Sequence, residues 1–182
     1  MELEPTTTKN LDGYGAPTID WSRVAELLDT TPTGAPETGG PDRHTHWLTT
    51  TNADGSAHVM PVGALHIDGS LYFTSGPGTR KSRNLARDPR CVVSVATHPF
   101  DLVIEGAAER VTDRDQLEVV AATYAAGGWP ASVDEDGTAL TAEFSAPAAG
   151  PPPWPVYRVV RATVFALGTA EPYGATRFDI RG

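Results

Sequence analysis

The chain has 182 residues, the length of about one domain, with 23 acidic and 14 basic side chains and a formal net charge of −9. That balance argues against nucleic-acid and anionic-membrane partners, because both need a basic field to meet phosphate. Leu, Ile, Val and Phe supply only about 20% of the residues, and Gly (18) and Pro (16) are plentiful. This composition predicts one small core diluted by loops, and small cores favour association into a dimer.

The N-terminus, MELEP, lacks the basic and apolar segments of a secretory signal, and no apolar run reaches the length of a membrane span. One cysteine, Cys91, cannot form an internal disulfide, so a reducing cytoplasm is the expected setting. Residues 1–17 are polar and aperiodic and read as a flexible tail. From 18 to 182 the chain reads as a single domain. Asp20 is placed to cap a helix whose apolar stripe is Trp21, Val24, Leu27 and Leu28. Residues 30–43 read as a loop.

From His46 the pattern turns to strands. His46 to Asn52 and Ala57 to Ile67 flank an Asp-Gly turn, which predicts a hairpin with Val59, Leu65 and Ile67 on one face. Pro61 inside the second strand marks an edge, a bulge or a ligand-facing stretch. Asp68-Gly69 is a further turn leading into Leu71 to Ser75. Thr79 offers an N-cap to a helix over 80–87, which Asp88-Pro89 closes. Arg90 to Thr97 and Phe100 to Val111 read as paired strands. Asp113 and Gln116 open a helix striped by Leu117, Val120, Ala121 and Tyr124. Residues 127–155 form a Gly/Pro-rich acidic loop without a basic residue, expected to border a pocket or cover a dimer contact. Val156 to Leu167 is a long strand, and Ala175 to Ile180 a short one. The fold class is mainly β, an antiparallel barrel or sandwich with short flanking helices.

The chemistry-bearing segment is SGPGTRKSRNL, residues 75–85. Residues 80–90 carry Arg80, Lys81, Arg83, Arg87 and Arg90 against Asp88, a net +4, so the remainder of the chain carries −13. A basic island behind two glycines at a helix start suits an anion: free N–H groups, the positive helix end and two cations converge there. The alternative is a solvated helix face whose arginines pair with local acids. The segment is not a nucleoside-triphosphate P-loop, since Arg80 stands where that motif requires glycine. The histidines complete no metal set: His44 and His46 share a predicted strand face, and His58, His66 and His98 are scattered. No metal site is expected. Cys91 reads as a buried, inert thiol. Trp47, Trp129 and Trp154 serve either as core anchors or as stacking surfaces for an aromatic ligand.

Taken together, HVMPV at 58–62, DGSLYFTS at 68–75, TRKSRNLARDPRCVV at 79–93, DLVIEG at 101–106 and ATRF at 175–178 resemble the pyridoxamine 5′-phosphate oxidase-like superfamily. The resemblance is strong over about residues 44–112 and looser over 156–180. It implies an FMN-binding type of split β-barrel, a homodimer with the cofactor at the subunit interface. The cofactor would be FMN or the deazaflavin coenzyme F420, and the activity hydride transfer between it and a small organic substrate. By that resemblance Arg80 and Lys81 hold the cofactor phosphate, assisted by Ser75 and Thr79. Asn84 belongs to the same motif. Met60, Pro61 and Val62 run along the ring, His58 adjoins the cofactor as a candidate proton donor, and Arg177 approaches from the C-terminal strand. Arg83 and Arg87 are candidate partners for an acidic deazaflavin tail. The phosphate-binding strand lacks the Arg and Lys of true pyridoxamine phosphate oxidases, Tyr124 is not followed by Arg four residues later, and the closing Arg-Leu-Ala-Pro signature is missing. These departures argue against vitamin B6 oxidation. A protein that binds flavin, deazaflavin or haem without turnover is the second reading.

Overall fold

The computed structural model describes residues 4–30 and 44–180. In chain order the elements are β1 (Thr7–Asn10), α1 (Trp21–Thr30), β2 (His46–Thr51), β3 (Ala57–Val62), β4 (Ala64–Ile67), β5 (Ser70–Thr74), α2 (Arg80–Arg87), β6 (Arg90–Ala96), β7 (Phe100–Val111), α3 (Arg114–Ala126), β8 (Ser132–Val133), β9 (Leu140–Thr141), β10 (Val156–Gly168) and β11 (Ala175–Asp179). The predicted hairpins and helices are present, and every strand pairing is antiparallel.

Nine strands form one sheet, with β1-β11-β10-β7-β6-β2-β3 in order and β5 and β4 branching from β10. The long strand β10 explains the branching. One edge runs along β7, while the other is shared by β5 over Val156–Val159 and β11 over Thr163–Leu167. The sheet therefore splits into two halves that diverge from β10. At the far side the ladder does not close; consecutive strands β3 and β4 carry the chain across the gap. This is the split-barrel architecture expected from the sequence.

Three local expectations differ. The predicted strand 57–67 breaks at Gly63, where β3 leaves β2 and β4 takes β5 as its partner. The break also undoes the predicted common face: Val59 is 49% exposed, whereas Leu65 is fully buried. Tyr124 of α3 locks the break, donating its hydroxyl to the Gly63 carbonyl at 2.7 Å. Within the supposed tail, Thr7–Asn10 pairs with β11 in register from Thr7↔Asp179 to Asn10↔Thr176. Its side chains are all exposed, so no apolar pattern announces the strand. His44 precedes β2 instead of sharing its face with His46, and its Nδ1 lies 2.8 Å from the Ala96 carbonyl. The predicted loop 30–43 lies outside the described residues beyond Thr30.

The core has two lobes. The larger joins α1 to the inner faces of β2, β5, β6, β7 and β10 through Val24, Leu28, Leu48, Phe73, Val93, Leu102 and Ile104. Asp20 starts α1 as predicted, accepting from the Ser22 amide at 3.0 Å. The second lobe packs α3 on the segment 129–156 through Leu117, Val120, Tyr124, Trp129, Leu140 and Trp154. Trp129 and Trp154 are thus core anchors, whereas Trp47 is 46% exposed. Among the described residues no helix is long and apolar enough to cross a membrane.

Candidate functional site

The helix α2 begins as its sequence dictates. Thr79 is the N-cap, in an extended conformation, and its side chain accepts from the Ser82 amide at 3.3 Å. Three hydroxyls close a ring around this start. Ser82 Oγ donates to Ser75 Oγ at 2.7 Å, Ser75 and Thr79 are 2.9 Å apart, and Thr79 Oγ1 donates to Ser82 Oγ at 3.1 Å. The ring ties the end of β5 to the helix, so the GPG loop between them is pinned at both ends. The amides of Arg80 and Lys81 lie in the first helical turn, which has no backbone acceptor behind it.

Beside this start lies a cleft of about 550 Å³, lined by His58 and Met60 of β3, the loop and helix residues 76–81, and the segment 148–152. Its volume falls within the range of about 300–1,000 Å³ typical of small-molecule sites. Alternation along β3 decides which side chains enter. His58 and Met60 stand opposite the buried Thr50 and Leu48 of β2, on the inner face. Pro61 and Val59 stand opposite Trp47 and Thr49, on the outer face. Met60, Pro61 and Val62 therefore do not form one continuous wall: Met60 lines the cleft, Pro61 faces away from it, and Val62 packs on the core. Pro61 nonetheless obeys the strand rule, since β3 ends the main strand order.

The cleft has a basic end and an apolar wall. Arg80, Lys81 and His58 face it, no lining residue is a carboxylate, and none of these three side chains has a hydrogen bond or ion pair among the described residues. Burial holds the half-buried Lys81 ammonium below its ordinary pKa. Desolvation, then the charges of Arg80 and Lys81, hold the His58 imidazole below its own. Opposite runs Ala148-Ala149-Gly150-Pro151-Pro152, with no charged side chain. The Trp154 indole donates to the Gly150 carbonyl at 3.1 Å, and Trp129 donates to the Phe144 carbonyl at 2.6 Å. The loop expected to border a pocket does so here. No ligand chemistry in the sequence marked these five residues, and their Gly/Pro content was the only signal.

Other predicted site residues have structural partners. Ser75 is buried, and its hydroxyl is engaged in the three-hydroxyl ring. Asn84 is buried and donates to Thr50 Oγ1 at 3.0 Å and Asn52 Oδ1 at 3.1 Å, docking α2 on β2. Arg177 does not line the cleft of its own chain; on β11 it pairs with Asp179 at 2.7 Å. The remaining arginines of the island divide as well. Arg87 donates to the Thr51 carbonyl, Arg90 pairs with Asp88 at 2.7 Å, and Arg83 is exposed outside the cleft. Cys91 is buried, which pushes its thiol pKa up to about 12. Among the described residues no group of three His, Cys, Asp or Glu side chains is placed to hold a metal.

The fold is shared with solved structures of low sequence identity. A conserved hypothetical protein from Mycobacterium tuberculosis superposes with a TM-score of 0.58 at 17% identity, covering 85% of this chain and 88% of its own. A NimC/NimA family protein from Clostridium acetobutylicum gives 0.56 at 14% identity, covering 86% and 91%. At such identities the likeness is one of fold. No curated protein matches the chain in sequence. The model of the pyridoxamine 5′-phosphate oxidase family matches residues 39–144. That span holds the strand with His58, the basic helix start and most of the sheet, and on it the chain belongs to the pyridoxamine 5′-phosphate oxidase family.

Proposed function

We propose that the protein is an oxidoreductase that binds a phosphate-bearing flavin, FMN or the deazaflavin coenzyme F420, in the cleft between β3, α2 and residues 148–152. The carrying observation is the joining of unpaired Arg80, Lys81 and His58 to an apolar wall in one cleft. Such a site fits a ligand with an anionic end and a flat apolar body. Two free helix amides and two cations meet the phosphate. Met60 and the Ala/Pro segment offer the body a dry surface. The bound cofactor supplies the hydride chemistry, and the chain supplies orientation, exclusion of water and an open approach for substrate. His58 is the one imidazole lining the cleft, which makes it the candidate proton donor.

A second copy of the chain completes the assembly in this reading. Trp47, Val59 and Pro61 form an exposed apolar patch on the outer face of β2 and β3, outside the cleft. A patch of this kind fits a partner subunit better than water. Arg177, ion-paired on its own β11, is proposed to serve the partner's cleft.

The test is the absorbance spectrum of the purified protein, followed by titration with FMN and with the deazaflavin. Binding of either at micromolar concentration supports the reading, and binding of neither ends it. The loaded, reduced protein is then mixed with quinones, enones and nitro compounds. Electron transfer no faster than from free cofactor would leave a binding protein without turnover.

A further inference from the structure

We propose that ligand capture in this cleft is coupled to protonation of His58, the imidazole taking a proton from solvent as an anionic group seats among His58, Arg80 and Lys81. The inference rests on the proposed cofactor site and adds a regulation of that site by pH.

The argument starts from geometry. His58 stands on the inner face of β3, opposite Thr50, and shares the cleft with Arg80 and Lys81 of α2. The groups around it can be named by element. Helix α2 contributes two cations, β2 contributes the uncharged Thr50, and the segment 148–152 contributes no charge. In the turn before β3 the exposed Asp54 is bonded to Ser56, and the charge of Arg80 reaches its carboxylate. No carboxylate bonds to the imidazole. With the cleft empty of anion, adding a proton to His58 places a third positive charge beside two others. Burial and those two cations accordingly depress its proton affinity.

An anion reverses the balance. A phosphate seated among the three groups neutralises the cations that oppose protonation, and it accepts a charge-assisted hydrogen bond from the imidazolium. The proton affinity of His58 therefore rises on binding. Linkage fixes the sign: an anion that raises this pKa binds more tightly where His58 is protonated. The gain is complete below the pKa of the free state and is lost as pH rises through the pKa of the bound state. Each unit of difference between the two values is a tenfold change in affinity. Lys81, also depressed by burial, follows the same sign in the alkaline range, so the two contributions separate along the pH axis.

A phosphate monoester itself titrates near pH 6, which would blur the reading. Inorganic sulfate keeps a constant charge and is the probe of choice beside FMN. Sulfate and FMN are titrated at intervals from about pH 5.5 to pH 8, and FMN binding is followed by calorimetry in buffers of different protonation enthalpy. The His58 ring resonance is followed by NMR with and without sulfate. The expected result is a roughly tenfold weaker sulfate affinity at the alkaline end, fractional proton uptake near neutrality, and a His58 pKa that rises with sulfate. His58→Gln is expected to bind FMN with a flat sulfate profile, and His58→Lys to bind tightly across the range. A His58→Gln profile as steep as that of the unaltered protein overturns the proposal. FMN binding with no proton uptake and an unmoved His58 resonance also overturns it while leaving the cofactor reading standing. Failure of FMN, the deazaflavin and sulfate alike to bind at any pH removes both.

Discussion

The backbone of Gly76 lies directly under the carbonyl of Ala149: a Cβ at position 76 would come within 2.0 Å of that oxygen. Only hydrogen fits there, so the loop after β5 and the segment that walls the cleft touch without a side chain between them. Gly76→Ala forces one of them to move. The overpacking is expected to cost about 1–3 kcal/mol and to widen the cleft. Thermal unfolding and flavin titration of the same sample measure both effects; a variant with unaltered melting and affinity would show that the contact is not tight in solution.

Arg80 and Lys81 are expected to act on the phosphate and not on the ring. Each is predicted to contribute about 1.5–3 kcal/mol through charge-assisted bonds. Arg80→Ala and Lys81→Ala should bring FMN affinity down towards that of riboflavin, which lacks the phosphate, and leave riboflavin affinity unchanged. Equal losses for both ligands would show that these residues support the fold instead.

The outer face offers a test of assembly. Trp47 and Val59 are 46% and 49% exposed. A Trp47→Glu, Val59→Lys double variant places charge where a partner subunit would pack, and light scattering is expected to report a monomer in place of a dimer. Loss of cofactor affinity should follow if Arg177 serves the partner's cleft. A monomeric unaltered protein with full cofactor affinity would refute the shared site.

A buried basic cluster predicts acid sensitivity. His46 Nε2 lies 3.1 Å from His66 Nε2, and His66 Nδ1 lies 3.5 Å from Arg161 Nη2. Since Arg161 only donates, His66 accepts at Nδ1 and donates from Nε2 to His46. Burial lowers the His46 pKa to about 4 and holds His66 well below its usual value. Both imidazoles are neutral in the folded protein, whereas in the unfolded chain they take up protons below about pH 6.5. Their contribution is present above that pH and is lost as pH falls towards 4, on the order of 3 kcal/mol from His46. Urea unfolding between pH 4 and 7.5 measures it, and His46→Gln should flatten the profile. A slope unchanged by that substitution would assign the acid sensitivity elsewhere.

Much of this arrangement was legible in local signals. Asp-Gly turns marked both early hairpins, Thr79 and Asp113 marked two helix starts, and the island at 80–90 stood out against a chain otherwise at −13. These are short-range effects of backbone sterics, capping and charge. The break at Gly63 was not legible, because residues 57–67 are β-prone throughout and only the exchange of partners from β2 to β5 divides them. The pairing of Thr7–Asn10 with β11 was hidden for the same reason: an exposed edge strand needs backbone partners and no apolar period.

The order of the residues concentrated the basic charge into one island at 80–90, against a remainder of −13, and placed that island at a helix start. Tertiary structure decided which side chains line the cleft. Of five basic residues in the island, two face the cleft, because the helical turn directs Arg87 to the Thr51 carbonyl and Asp88 holds Arg90. Of the strand residues 58–62, pleating admits His58 and Met60 and turns Pro61 outward. The wall at 148–152 arrives from about 70 residues further along the chain, carried there by the burial of Trp129 and Trp154. Sequence spacing sets what a residue can do, and the direction of its side chain, fixed by long-range packing, sets whether it does it.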